Sequence, residues 1–121
     1  MLNKVNIMNE VNGLAQLYVY KKVAELNGHV LSVVQVENRT LDFHCHEQSD
    51  ELFYVLEGDF ELETLEGLTA VGPGEFIVVP QATWHRPVVK HLTKFLMMEL
   101  AGTLNKENSG ELYEEESIEN I

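Results

Sequence analysis

Four residues carry the chemistry that this 121-residue chain can do: His44, His46, Glu51 and His85. Two histidines at i and i+2 in an extended segment point to the same side of a sheet. Glu51 opens the next extended run, and His85 closes a turn that starts at Pro80. Three imidazoles and one carboxylate converging on one point form a mixed nitrogen and oxygen site for a divalent first-row metal. Manganese, iron, cobalt, nickel, copper and zinc all suit such donors, so the expectation is one divalent transition metal per chain of unspecified identity. Each imidazole must be neutral to bind, so affinity should fall as pH drops toward the imidazole pKa. Four protein donors leave two open positions on an octahedral ion and none on a tetrahedral one, which separates a reactive centre from a closed one.

Side chains near these four are weaker candidates. Asp42 shares the histidine face and could accept a hydrogen bond from a ligand imidazole, or face solvent. Trp84 could line a pocket beside the last histidine, or pack beneath it. Arg86 could meet an anionic substrate group, or pair with a surface glutamate. Cys45 alternates away from the histidines and reads as a packing thiol. His29 and His91 sit in turns or polar connections and are expected to be exposed.

The elements that must position these groups are short. Strand-sized pieces run over 17–26, 30–36, 41–46, 52–57, 60–64, 68–71, 76–79, 85–88 and 93–100. Asn27-Gly28, Gly58-Asp59, Glu66-Gly67 and Pro73-Gly74 punctuate them as turns. Short strands at close spacing, without a long helical window, predict an all-β sandwich or barrel. Residues 1–16 read as a short N-terminal helix or arm, 17–101 as the barrel, and 102–121 as an acidic, flexible C-terminal tail. The run 51–57 is apolar on both faces, so both faces need cover. The barrel interior supplies one cover. The N-terminal arm or a second subunit supplies the other, and a homodimer is expected.

Composition narrows the partners. The formal charge is −12, with six glutamates and one lysine in 102–121, which argues against nucleic acid and anionic membrane surfaces. A single cysteine excludes an internal disulfide and a cysteine-only zinc cluster. No secretory leader or membrane-length apolar run is visible, so a cytoplasmic location is expected. No phosphate-binding glycine loop, serine nucleophile elbow or Cys-x-x-Cys pair is present.

The run His44-x-His46, four residues, Glu51, six residues, Gly58 resembles the first cupin motif. The run Gly74, five residues, Pro80-x-Ala82, two residues, His85 resembles the second. Fifteen residues separate Gly58 from Gly74, a spacing similar to that of small single-domain microbial cupins. Asn38 and Ala82 stand where the family usually has glycine, and Val89 where it often has asparagine. The resemblance implies a double-stranded β-helix, a jelly-roll barrel with the metal inside its mouth. It also implies a small-molecule ligand. Metal-dependent chemistry on a small polar oxygenated substrate, of the oxygenase or sugar-isomerase kind, is one functional expectation. A non-catalytic module for a sugar or small acid is a second, and an interaction protein that uses the acidic tail is a third.

Overall fold

The computed structural model describes residues 2–102 and the backbone of residues 112–113. Apart from those positions, the flexible tail expected over 102–121 lies outside the described residues. Among the described residues, one short helix, α1 (Ile7–Asn12), precedes ten strands: β1 (Val19–Leu26), β2 (His29–Val36), β3 (Arg39–Thr40), β4 (Glu51–Glu57), β5 (Phe60–Thr64), β6 (Gly67–Val71), β7 (Phe76–Val79), β8 (His85–Val89), β9 (Thr93–Leu100) and β10 (Leu112–Tyr113). The Asn6 side chain accepts the Asn9 N–H and caps α1.

Two sheets face one another. One has the order β10-β1-β2-β9-β4-β7 and the other β3-β8-β5-β6. Alternation builds the interior. Strands β4 and β9 bury every second side chain, so Phe53, Val55, Phe95 and Met97 point inward together. The Phe53, Phe60 and Phe95 rings meet at centroid distances of 4.8–6.2 Å. Burying each ring contributes roughly 2–3 kcal/mol, and this aromatic floor lies directly beneath the candidate site, where Phe53 meets the His85 ring at 6.4 Å.

The expected strand over 41–46 is corrected. Only Arg39–Thr40 forms a ladder with β8, and beyond it His44 makes an isolated bridge to His85. One more residue lies between Thr40 and His44 than between His85 and Val88, so the register slips. Pro87 explains the break. Its carbonyl accepts the Leu41 N–H, but it has no N–H to return.

Asn38 adopts φ 49°, the left-handed conformation that the family's usual glycine would take, and asparagine tolerates it. Gly58 has no such substitute. At φ 86°, a Cβ there would lie 2.5 Å from the Leu92 carbonyl oxygen. Thr93 fastens the same junction through its hydroxyl, which donates to the Asp59 carbonyl at 2.8 Å. Gly58→Ala combines a positive-φ penalty with a backbone clash, so it should cost about 3 kcal/mol or more and lower Tm by roughly 10 °C. Thermal unfolding followed by circular dichroism checks this; an unchanged Tm would show that the junction is not fixed as described.

Candidate metal centre

The break after β3 and the start of β8 bring the two histidine-bearing segments face to face. His44 and His85 exchange both backbone hydrogen bonds, at 2.9 and 3.0 Å. The turn between β7 and β8 is pinned to the first segment. Ala82, at φ 62°, donates its N–H to the His46 carbonyl at 2.8 Å, and Gln81 donates to Asp50 Oδ1 at 2.8 Å. Glu51 enters from the first residue of β4.

The four side chains meet. One donor atom from each of His44, His46, Glu51 and His85 lies within 4.8 Å of the others. His46, Glu51 and His85 are buried and His44 is half-buried. Backbone carbonyls set the rings. The Asp42 carbonyl faces His44 Nδ1 at 2.9 Å and the Thr83 carbonyl faces His85 Nδ1 at 2.7 Å. Each Nδ1 therefore carries hydrogen, which leaves Nε2 as the lone-pair nitrogen of a neutral ring. Asp42 thus serves His44 through its main chain, while its side chain is exposed.

A lone-pair nitrogen against a carboxylate oxygen is a poor contact unless a positive charge joins them. His85 Nε2 lies 3.0 Å from Glu51 Oε1, and His46 Nε2 lies 3.6 Å from Glu51 Oε2. Without a metal, a proton must bridge the first pair. Burial lowers the His85 pKa, but the hydrogen bond to Glu51, the Thr83 carbonyl and the Glu51 charge together outweigh it and raise the value above 6.5. For His46, burial dominates; the charges of His44 and His85 add to it, Glu51 opposes it, and the value falls below 6.5. His46 Nε2 is fully buried with no hydrogen-bond partner among the described residues. Buried polar atoms are seldom left unpaired. An orphan nitrogen aimed at a carboxylate among two further imidazoles fits a divalent cation. The residues present could hold one.

Beside His46 opens a cavity of about 630 Å³, lined also by Cys45, Glu47, Gln48, Trp84 and Leu100. Trp84 is half-exposed in this wall. Cys45 was expected to face away in packing; it is half-buried and lines the cavity, because the segment around it is not a regular strand. Arg86 turns elsewhere: its guanidinium donates to Glu63 at 2.7 Å and lies over the Phe43 ring at 4.5 Å. His29 and His91 stand apart from the cluster; His29 meets the Leu26 carbonyl and His91 meets Asp59.

Sequence reasoning missed Glu99. It is 1% exposed on β9, its carboxyl oxygens lack a hydrogen-bond donor among the described residues, and burial followed by the Glu51 charge pushes its pKa well up. Its signal was present: with Phe95 and Met97 pointing inward, the period of two puts Glu99 on the core face as well.

Comparison with known proteins agrees with this picture. Residues 30–99 match the Cupin_2 family, described as a cupin domain. The uncharacterized protein YdbB of Bacillus subtilis is 33% identical over 87 residues, which is 71% of this chain and 74% of that protein. A crystal structure of a cupin-2 domain containing protein from Shewanella frigidimarina superposes with a TM-score of 0.75 at 26% identity, covering 79% of this chain and 93% of that one. An uncharacterized conserved protein with a double-stranded β-helix domain from Klebsiella pneumoniae has the same fold, with a TM-score of 0.67 at 15% identity over 87% of this chain and 95% of that one. Two facing, mostly antiparallel sheets, two motifs brought to one point by a broken strand and a pinned turn, and a family match over more than half the length lead to one conclusion: this chain belongs to the cupin domain family.

Proposed function

We propose that this protein is a divalent-metal-dependent cupin that acts on a compact, polar, oxygenated small molecule. The observation that carries this reading is the orphan Nε2 of His46, which belongs to the four-donor cluster while His46 also lines the large cavity. His44, His46, Glu51 and His85 would hold the ion. Bound there, it would polarise a carbonyl or acidify a bound water. The protein's own residues do the rest. The Asp42 and Thr83 carbonyls keep two imidazoles in the ligating tautomer. Trp84 supplies an apolar wall and Gln48 a neutral polar one. The volume lies in the range of ordinary small-molecule pockets.

The test begins with elemental analysis of protein purified without chelators, where about one divalent metal per chain is expected. Turnover is then measured against a panel of small hydroxy acids, keto acids and sugars, with a thermal-shift screen in parallel. A compound that raises Tm and is recovered unchanged would favour a non-catalytic binding module. Metal-free protein that takes up no added divalent ion would end the metal reading.

We further propose that two copies pair through the outer face of the larger sheet. Helix α1 packs on β2 and β9, and Val33 and Val11 are fully buried there. Farther along, Leu52, Tyr54, Leu56, Leu96 and Met98 are only half-buried, and Phe76 and Val78 on edge strand β7 are exposed. This contiguous apolar surface suits a second copy. Light scattering should give twice the 13.8 kDa chain mass, and Phe76→Glu should shift the protein toward monomer. A monomeric wild type would refute the pairing.

A further inference from the structure

Glu99 has no part in the four-donor cluster, yet it is buried against it. On β9 it stands at the position facing Glu51, because the neighbouring pair across the β4–β9 ladder is Leu52 and Met98. On its other side it is paired with Val30 of β2. Both carboxyl oxygens are inaccessible and meet no donor among the described residues. The polar group that the register sets opposite it is the Glu51 carboxylate, itself an acceptor. Like-charged groups directly opposite on adjacent strands are destabilising, and here they are also removed from water. The face is otherwise apolar, with Phe95 and Met97 preceding Glu99 at alternate positions. An aliphatic side chain would serve packing better.

Resting on the metal reading above, we propose that Glu99 is a positioning residue of the metal centre. It grips the Glu51 carboxylate from β9 so that Glu51 presents a fixed edge to the cation. A hydrogen bond from the Glu99 carboxyl to one lone pair of Glu51 still leaves Oε1 toward His85 and Oε2 toward His46, because each oxygen has two lone pairs. Such support for a ligating carboxylate is typically worth roughly 10–100-fold in metal affinity. Glutamine at this position keeps the length and can donate its amide to Glu51, whereas methionine keeps the length and cannot donate.

The experiment is calorimetric titration of chelator-stripped, full-length protein with zinc chloride and with manganese chloride, together with the visible spectrum of the cobalt-loaded form. Glu99→Met should bind each ion roughly 10–100-fold more weakly than wild type and shift the cobalt bands. Glu99→Gln should retain wild-type affinity and bands. Should Glu99→Met fail to melt cooperatively, Glu99→Leu takes its place in the same comparison. Wild-type affinity in the apolar variant would overturn the proposal, and so would a glutamine variant as weak as the apolar one. If the wild type itself binds no ion, the metal reading has failed first. A wild type that binds while no variant differs leaves that reading intact and removes the role of Glu99.

Discussion

Replacing His85 with alanine is expected to lower divalent-metal affinity by roughly a hundredfold or more. The size follows from four-donor zinc sites, whose total of about 10–16 kcal/mol divides into about 3 kcal/mol per donor. His85 is 1% exposed, with Nδ1 held by the Thr83 carbonyl and Nε2 facing Glu51 at 3.0 Å. No other imidazole can take its place, because His29, at the start of β2, and His91, in the connection between β8 and β9, have partners of their own. The substitution also strips the buried Glu51 carboxylate of its hydrogen-bond partner and opens space beside Phe53, so the metal-free protein should lose about 2 kcal/mol of stability. His44→Ala separates the two effects. His44 is half-buried and its ring rests on the Asp42 carbonyl, away from the buried Glu51 pairing, so its loss should weaken metal binding comparably while costing less stability. Calorimetry and thermal melts on both variants check this. Unchanged affinity in His85→Ala would show that the cluster is not a metal site.

Glu51 should tolerate substitution no better, and the reason shows how the fold and the site depend on one another. It is the first residue of β4, buried by the alternation that also sends Phe53 and Val55 inward. The alternating pattern that builds the core therefore also delivers the carboxylate. Much of this was legible in the sequence. Turn residues marked the strand limits because asparagine, glycine and proline act on φ directly, and Asn38 at φ 49° shows a turn surviving a residue change. The spacing of the two motifs identified all four members of the cluster, because short fixed spacings translate into fixed positions on a sheet.

What escaped was long-range. The strand expected over 41–46 broke because Pro87, more than forty residues away, withholds a hydrogen bond from it. Once the register slipped, strict alternation no longer applied, and Cys45 turned to the cavity wall. Arg86 was open to two partners in sequence. Only the pairing of β5 with β8, which sets Glu63 opposite Arg86, brings its carboxylate to the guanidinium. The pairing of Glu99 with Glu51 was hidden for a different reason. The run 93–100 reads as an ordinary buried strand until its register with β4 puts one carboxyl opposite another.

Metal affinity should fall steeply as the medium is acidified from pH 7.5 to 5.5, by one to two decades at about tenfold per pH unit for each proton displaced. The cause lies in His85. Its pKa in the metal-free protein is raised above 6.5, since the Glu51 hydrogen bond, the Thr83 carbonyl and the Glu51 charge outweigh burial. A cation must therefore expel that proton at a pH where a free imidazole would already be neutral. His46 competes less than an ordinary imidazole, because burial holds its pKa below 6.5. The sign for stability without metal runs the other way for His85. A folded-state pKa above the unfolded one gives stability that is complete below about 6.5 and disappears as pH rises through the folded value. Glu99, raised by burial and by Glu51, acts in the same direction. His46, depressed, contributes stability above 6.5 that is lost as pH falls through its folded value. Metal replaces the bridging proton between His85 and Glu51 as that proton leaves. The gap in Tm between metal-loaded and chelator-treated protein should accordingly widen from pH 5.5 to 8, since a bound ligand stabilises with the logarithm of its concentration relative to Kd. Paired melts across that interval read the gap directly. A constant gap would mean that no proton is exchanged for the ion, and the geometry around Glu51 would then have to be explained without a metal.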